Sequence, residues 1–346
     1  MLPQAIRILG LSTVAFIAAL FLTPTFIYLI QKYKLSKNLR SENSAPIFFS
    51  LHQKKIGMPT MGGAIIWVTT LGLALVFFIL ASFFDGFWSY LNFVNRAETY
   101  LPIAAMALAA FLGLADDLMG VLKIGSNGGG LRVSQKVWLY LAVALLGAWW
   151  FYFKLDWDIL YIPFWGNVQI GFWYVPLFVL VIFASAFSSN ETDGLDGLAG
   201  GVLLFAFTSL TAVAFILGRF DLAAFGGVII GALLAFLWHN IYPARFFMGD
   251  TGSMSLGITL GVIAMLTNTT LLLPFFAIIL VVESASVIIQ IFSKKFLKKK
   301  VFLSTPIHHH FEALGWPESQ ITMRFWIISA VFSAVGLVLF FLSKFI

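Results

Sequence analysis

Aspartates stand out in this sequence because only 10% of its 346 residues are charged. Those that could take part in chemistry are Asp116, Asp117, Asp193, Asp196 and Asp250. A carboxylate held beside apolar segments needs a compensating partner. Clustered carboxylates bind Mg²⁺, which also binds phosphate oxygens, or they act as general acids and bases. The acids therefore indicate a metal-assisted reaction of a phosphate compound.

The adjacent Asp116 and Asp117 close an apolar segment that we predict to be a helix over 100–115. At that end they would oppose the helix dipole at about 0.3–1 kcal/mol per exposed charge. A divalent cation, or a raised pKa on one of the two, would relieve this cost. The alternative is a solvated pair that only marks the end of the helix.

Asn190 to Gly197 form a polar island between the apolar runs 177–187 and 198–217. Asp193 and Asp196 would share one face of a helix at their spacing of three. Gly194 and Gly197 leave the backbone approachable, and the Asn190 amide could bind a base edge or a hydroxyl. Solvated loop acids are the alternative interpretation.

Asp250 is followed by Thr251-Gly252-Ser253, where a further helix is predicted to begin. The amides of a helix N-terminus, with the Thr251 and Ser253 hydroxyls, can bind an anion. The carboxylate beside them suggests Mg²⁺ bridging to a phosphate. An N-cap aspartate is the equally weighted alternative.

The consecutive His308, His309 and His310 follow Pro306, and Gly315 suits the end of a short helix. Successive helical side chains point about 100° apart, so three histidines cannot converge on one ion. They suit phosphate binding, with one as a general acid or base, unless they are surface polar residues.

Lysines accompany glycine-rich loops in two places. These lysines are Lys55, Lys123 and Lys136. Each alone is an ordinary flank of an apolar segment, but together they place cations where phosphates would arrive.

Apolar segments long enough to cross a bilayer as helices recur along the chain, in which 60% of residues are hydrophobic. We predict ten spans, at about 9–31, 60–83, 100–115, 137–153, 172–188, 198–217, 222–239, 255–267, 271–293 and 325–343. The fold class is therefore an all-α integral membrane protein, with residues 1–346 as one polytopic domain. The net charge of +6 lies in short loops beside the spans, which indicates lipid headgroups rather than nucleic acid.

The positive charges also predict an orientation. With both termini outside, 16 of the 21 Lys and Arg fall in loops on one face, which is cytoplasmic by the positive-inside rule. All the residues discussed above lie on that face, whereas Asp156-Trp157-Asp158 lies on the other and is set aside as a metal motif. Glu283 falls inside the ninth span and is a functional candidate, or a packing contact, with no assigned role.

Four stretches resemble the signature loops of the phospho-N-acetylmuramoyl-pentapeptide transferases, and the similarity covers essentially the whole chain. They are Ala115–Asp117, Asn190–Ala199, Phe247–Ser253 and Thr305–Glu312. Three histidines followed by Phe311-Glu312 favour this family over relatives that transfer N-acetylhexosamine phosphates. Met58 stands where the family usually has Thr, and Glu191 where it usually has an apolar residue.

The resemblance implies transfer of phospho-N-acetylmuramoyl-pentapeptide from its UDP form to undecaprenyl phosphate, giving lipid I and UMP with Mg²⁺ in the bacterial cytoplasmic (inner) membrane. It allows a homodimer. The alternative within the enzyme class is transfer of N-acetylglucosamine-1-phosphate to a polyprenyl phosphate. A transporter with buried acids as a proton relay is the alternative outside it.

By the same resemblance, the catalytic residues are Asp116, Asp117, Asp250 and His309. Mg²⁺ is assigned to Asp250 with Asp117 or Asp116 nearby, and one of that pair can instead accept a proton from the lipid phosphate. The residues expected to bind substrate are Lys55, Lys123, Lys136, Asn190, Asp193, Gly194, Leu195, Asp196, Asn240, Phe247, His308 and His310. Direct attack and a phospho-aspartyl intermediate remain alternatives.

Overall fold

The computed structural model of the protein describes residues 1–36, 57–125 and 129–345. Lys55 lies outside these residues. The helices are α1 Leu2–Lys32, α2 Ala64–Phe83, α3 Phe87–Leu91, α4 Tyr100–Val121, α5 Val133–Lys154, α6 Tyr174–Thr192, α7 Leu198–Ile216, α8 Phe220–Asn240, α9 Gly249–Leu266, α10 Leu273–Phe276, α11 Ile278–Phe292, α12 Ile307–Ala313 and α13 Glu318–Phe345. The strands are β1 Ile159–Ile162 and β2 Gly166–Gln169.

The described part of the chain contains nine helices long and apolar enough to cross a membrane. They correspond to nine of the ten predicted spans, with shifted ends. The predicted span over 271–293 is not a single helix in the structure. Ala277 leaves the helical region with φ −128° and ψ 37°, and it separates α10 from the fifteen-residue α11. Hydropathy counts apolar residues but cannot detect such a break in the backbone.

Helix α9 lies at the centre of the helical bundle, and all 18 of its residues are buried. It packs chiefly against α4 and α6. Gly113 makes the contact with α4 close, because a Cβ there would overlap the backbone carbonyl of Asp250. This approach brings the second half of α4 beside the first turn of α9.

Three helices extend further toward the polar residues than the sequence predicted. Helix α4 continues past 115 to Val121, α6 continues past 188 to Thr192, and α9 begins at Gly249 rather than near 255. Asp116 and Asp117 thus lie inside α4, and the prediction that they close the helix is wrong. The predicted helix ends were placed where the apolar residues stop. The helices continue beyond those points because the polar side chains that follow are buried against one another.

A β-hairpin between α5 and α6 was not predicted. Strands β1 and β2 pair antiparallel, with Leu160 opposite Val168. The hairpin is fixed to two other segments: the Tyr161 amide donates to Asn268 Oδ1 at 3.0 Å, and the Tyr161 hydroxyl donates to the Ser343 carbonyl at 2.7 Å. The fold is therefore mostly helical, with this small sheet as its exception within the described residues.

Candidate active site

Four helices meet at a buried cluster of opposite charges. Lys136, in the first turns of α5, lies with its Nζ 2.7 Å from Asp116 Oδ2 and also contacts Asp250 Oδ2. The other Asp250 oxygen accepts a hydrogen bond from Asn190 Nδ2 at 2.5 Å. Asp116 Oδ1 accepts from the Leu131 amide at 2.5 Å. Both aspartates are at most 4% exposed, so the lysine supplies compensation that two buried carboxylates require.

The first turn of α9 is capped by two other aspartates. Asp117 Oδ2 accepts the Thr251 amide at 3.0 Å, and Asp193 Oδ2 accepts the Gly249 amide at 2.9 Å. Two of the amides predicted to face an anion therefore face carboxylates of the protein itself. The Thr251 hydroxyl also has a protein partner, since Thr251 Oγ1 donates to the Ala110 carbonyl at 3.0 Å. Acidic side chains suit this helix end because its amides carry partial positive charge.

The polar island does not form a helix beyond Thr192, so Asp193 and Asp196 do not share a helical face as predicted. The chain turns there, because Gly197 adopts φ +73° before α7 begins. Asp196 Oδ2 instead accepts the Ala244 amide at 3.0 Å, in the loop between α8 and α9. The island is thereby joined to the loop that precedes Asp250.

Asn240 makes the second connection between the island and that loop. Its Oδ1 accepts the Gly197 amide at 3.1 Å, and its Nδ2 donates to the Phe246 carbonyl at 2.8 Å. The residue is 4% exposed. These bonds give Asn240 and Asp196 a scaffolding role, which sequence spacing alone did not indicate.

The three histidines lie on α12, as the predicted short helix requires, and their rings contact different groups. His308 Nδ1 lies 2.9 Å from Glu283 Oε2, and His309 Nδ1 lies 2.6 Å from Glu312 Oε2. His310 Nδ1 accepts the Leu303 amide at 3.2 Å. The ring of His310 thus contacts its own preceding loop, whereas His308 and His309 are buried.

Burial lowers the pKa of His309 to about 4, and the adjacent His308 lowers it further against the opposing effect of Glu312. The ring is therefore neutral near pH 7. Because the Glu312 carboxylate accepts a hydrogen bond, the proton lies on Nδ1 and Nε2 carries a lone pair. This state suits a hydrogen-bond acceptor or general base better than a cationic phosphate ligand.

Gly194 connects the island to the histidine helix. A Cβ at this position would overlap His308 Nε2 and lie 2.9 Å from Cε1. We expect Gly194→Ala to displace the His308 ring and to lower turnover about 10²-fold, since small misplacements at a reacting site cost rate steeply. The measurement is steady-state turnover in detergent.

Gly72→Ala is the matched control, because a Cβ at Gly72 would meet nothing within 4 Å. We expect its turnover to equal that of the wild type. Normal turnover in both variants would show that the contact between Gly194 and His308 has no effect on the reaction.

The remaining predicted residues differ in exposure. Leu195 is buried, Phe247 and Glu191 are half-buried, and Lys123 is exposed in the turn after α4. The Phe247 carbonyl accepts the Gly62 amide at 2.8 Å. This bond ties the start of α2 to the loop before Asp250.

Glu283 is the residue whose place the sequence did not reveal. It lies on α11 with no exposed surface and contacts the histidine helix. An acid inside an apolar segment was a signal of function, but its partner is 25 residues away in sequence. Spacing could not identify that partner.

Comparison with known proteins adds independent information. Residues 99–268 match the model of glycosyl transferase family 4. A phospho-N-acetylmuramoyl-pentapeptide-transferase of Chloroflexus aggregans is 36% identical, over 96% of this chain and 89% of its own. Proteins of the same name from Borrelia turicatae and Clostridium perfringens are 35% and 38% identical, each over 93% of this chain and over 92% and 95% of their own lengths.

These identities extend over nearly the full length of the chain and of its relatives, and the matched family region contains Asp116, Asp117, Asn190 and Asp250. Together with the nine apolar helices they describe a multi-pass membrane enzyme. The chain belongs to the phospho-N-acetylmuramoyl-pentapeptide-transferase family.

Proposed function

We propose that the buried cluster of Asp116, Lys136, Asn190 and Asp250 is where this transferase moves phospho-N-acetylmuramoyl-pentapeptide from UDP-N-acetylmuramoyl-pentapeptide to undecaprenyl phosphate. The products are UMP and lipid I, the first lipid-linked intermediate of peptidoglycan synthesis. The observation that carries the proposal is the Lys136 ammonium held between Asp116 and Asp250. Phosphoryl transfer depends mainly on positioning and charge neutralisation, and this cluster offers both.

Mg²⁺ is part of the proposal. Two carboxylate oxygens from different helices converge on one ammonium group, so their geometry suits a cation. Among the described residues no group of three or more potential ligands is found. Mg²⁺ commonly uses one or two carboxylates together with substrate phosphates. We assign it to Asp250 with Asp117 or Asp116, where it would neutralise charge on the diphosphate.

The protein groups around this site have separate tasks in the proposal. Asn190 and Lys136 orient the two oxygens of Asp250, while Asp116 or Asp117 accepts the proton of the lipid phosphate. His309, neutral with a lone pair on Nε2, accepts a hydrogen bond from a sugar hydroxyl.

The other residues expected to contact the donor substrate come from loops around the cluster. They are Lys55, Lys123, Asp193, Gly194, Leu195, Asp196, Asn240, Phe247, His308 and His310. For Asp196, Asn240 and His310 the bonds described above favour an indirect contribution through loop position.

We also propose that the site faces the cytoplasm of a bacterium, with both termini on the opposite side of the inner membrane. The supporting observation is the asymmetry of 16 of the 21 Lys and Arg. A soluble nucleotide substrate and a membrane-bound phosphate can meet only at such a face.

The reaction is tested by UMP release from purified protein with undecaprenyl phosphate and either UDP-N-acetylmuramoyl-pentapeptide or UDP-N-acetylglucosamine, with and without Mg²⁺. We expect release with the first donor and Mg²⁺ only. Release with UDP-N-acetylglucosamine alone would favour the alternative transferase, and substrate uptake into vesicles without UMP release would favour a transporter.

A further inference from the structure

Glu283 is buried without exposed surface on α11, and its carboxylate faces the start of α12. His308 Nδ1 lies 2.9 Å from Oε2. The backbone amides of Ile307 and His308, in the first turn of α12, face the same carboxylate and favour its charged form. The Glu283 side chain thus contacts both the first turn of α12 and the ring of His308, the second residue of that helix.

This arrangement determines which ring nitrogen of His308 carries a proton. When Glu283 is ionised its oxygens only accept hydrogen bonds, so Nδ1 is then the donor in this contact. The opposite nitrogen, Nε2, lies against Gly194 of the polar island. A fixed proton on Nδ1 therefore also fixes the direction in which Nε2 points.

A second side chain of α11 holds the chain before α12. Gln290 Oε1 accepts the Val301 amide at 3.0 Å and the Phe302 amide at 3.1 Å, and its Nε2 donates to the Phe302 carbonyl at 2.8 Å. Glu283 and Gln290 are seven residues apart, so they lie on one face of α11. That face holds the histidine segment at two points.

We infer that Glu283 is a positioning residue for the transfer reaction, which keeps the proton of His308 on Nδ1 and directs Nε2 toward the polar island. The inference rests on the proposed placement of His308 in the substrate site. Carboxylates that orient histidines in this way recur in unrelated enzymes, where replacing the acid with its amide allows the wrong tautomer.

The decisive variant is Glu283→Gln, which keeps the volume of the side chain. The amide oxygen remains available to the backbone amides of α12, so the NH₂ group is left to face His308. That group donates, and Nδ1 must then accept, which moves the ring proton to Nε2. We expect turnover to fall about 10²-fold or more, as wrong-tautomer variants do elsewhere.

The tautomer is read by ¹⁵N NMR of protein with labelled histidine, in which His308→Gln identifies the His308 signals. We expect a protonated Nδ1 in the wild type and an unprotonated Nδ1 in Glu283→Gln. The control is Ser286→Ala, on the same helix, whose hydroxyl donates only to the Glu283 backbone carbonyl at 2.6 Å. It should leave both the spectrum and turnover unchanged. An unprotonated Nδ1 in the wild type would overturn the inference.

A double-mutant cycle tests whether Glu283 acts through His308. We expect His308→Gln to lose most activity and the addition of Glu283→Gln to cost no more than about twofold further. Additive losses would overturn the positioning role alone. Normal activity in His308→Gln would overturn that role and the placement of His308 in the substrate site together.

Discussion

Asp250→Asn should lower turnover by about 10³-fold or more while the protein remains folded, because the change removes the charge at the centre of the proposed site. Both oxygens of Asp250 have defined contacts, one to Asn190 and one to Lys136. An amide there would present an NH₂ group to side chains that are themselves donors. Lys136 keeps its contact with Asp116, which preserves the fold.

Asp156→Asn is the matched control for this experiment. Asp156 is exposed near the β-hairpin and adopts φ 51°, a conformation that Asn tolerates well. Turnover should match that of the wild type. Near-normal turnover in Asp250→Asn with excess Mg²⁺ would refute the assignment of Asp250, and a large loss in Asp156→Asn would refute the proposed orientation of the site.

Lys136→Met should have the second largest effect. It leaves Asp116 and Asp250 buried without the cation between them. Breaking a buried ion pair from one side typically costs about 3–5 kcal/mol, so we expect a clearly lower melting temperature in EDTA. We also expect turnover to fall by about 10²–10³-fold, since the lysine orients the carboxylate assigned to Mg²⁺.

The control here is Lys154→Met, at the exposed opposite end of α5. It should change neither the melting temperature nor turnover. If Mg²⁺ binds at the carboxylates, it should restore part of the stability lost in Lys136→Met, through preferential binding to the folded state. An equal melting temperature of the two variants in EDTA would show that the ammonium does not compensate these carboxylates.

The sequence was sufficient to predict the class of fold and most of the residues that meet at the cluster. Asp116, Asn190 and Asp250 are each polar residues at the edge of a long apolar segment, and the distribution of Lys and Arg predicts that these three edges lie at one membrane surface. Spans that return to the same face therefore bring these residues together. Family resemblance identified the reaction, which spacing alone could not do.

The helix boundaries and the division of roles could not be predicted because they depend on tertiary contacts. Asp117 and Asp193 are predicted to bind ligands, and their hydrogen bonds to amides of the first turn of α9 were not predicted. Asp196 and Asn240 connect loops through partners more than 40 residues away in sequence. Sequence periodicity predicts contacts between residues three or four apart on a helix, but not contacts between such distant partners.

The break at Ala277 could not be predicted from the sequence for the same reason. It shortens α11, on which Glu283 and Gln290 hold the histidine segment. Composition predicted a membrane span at this position and an acid within it. The partner of that acid, His308, is identified by the fold, and this contact gives Glu283 a role that can be tested.

The most direct test of the proposed site is a crystal structure of the protein with a UDP-sugar donor and Mn²⁺ in place of Mg²⁺, recorded at a wavelength where manganese scatters anomalously. We predict an anomalous peak about 2–2.3 Å from a carboxylate oxygen of Asp250, beside Asp116 or Asp117. A peak at Asp156 or Asp158, on the opposite face, with none at Asp250, would contradict the account.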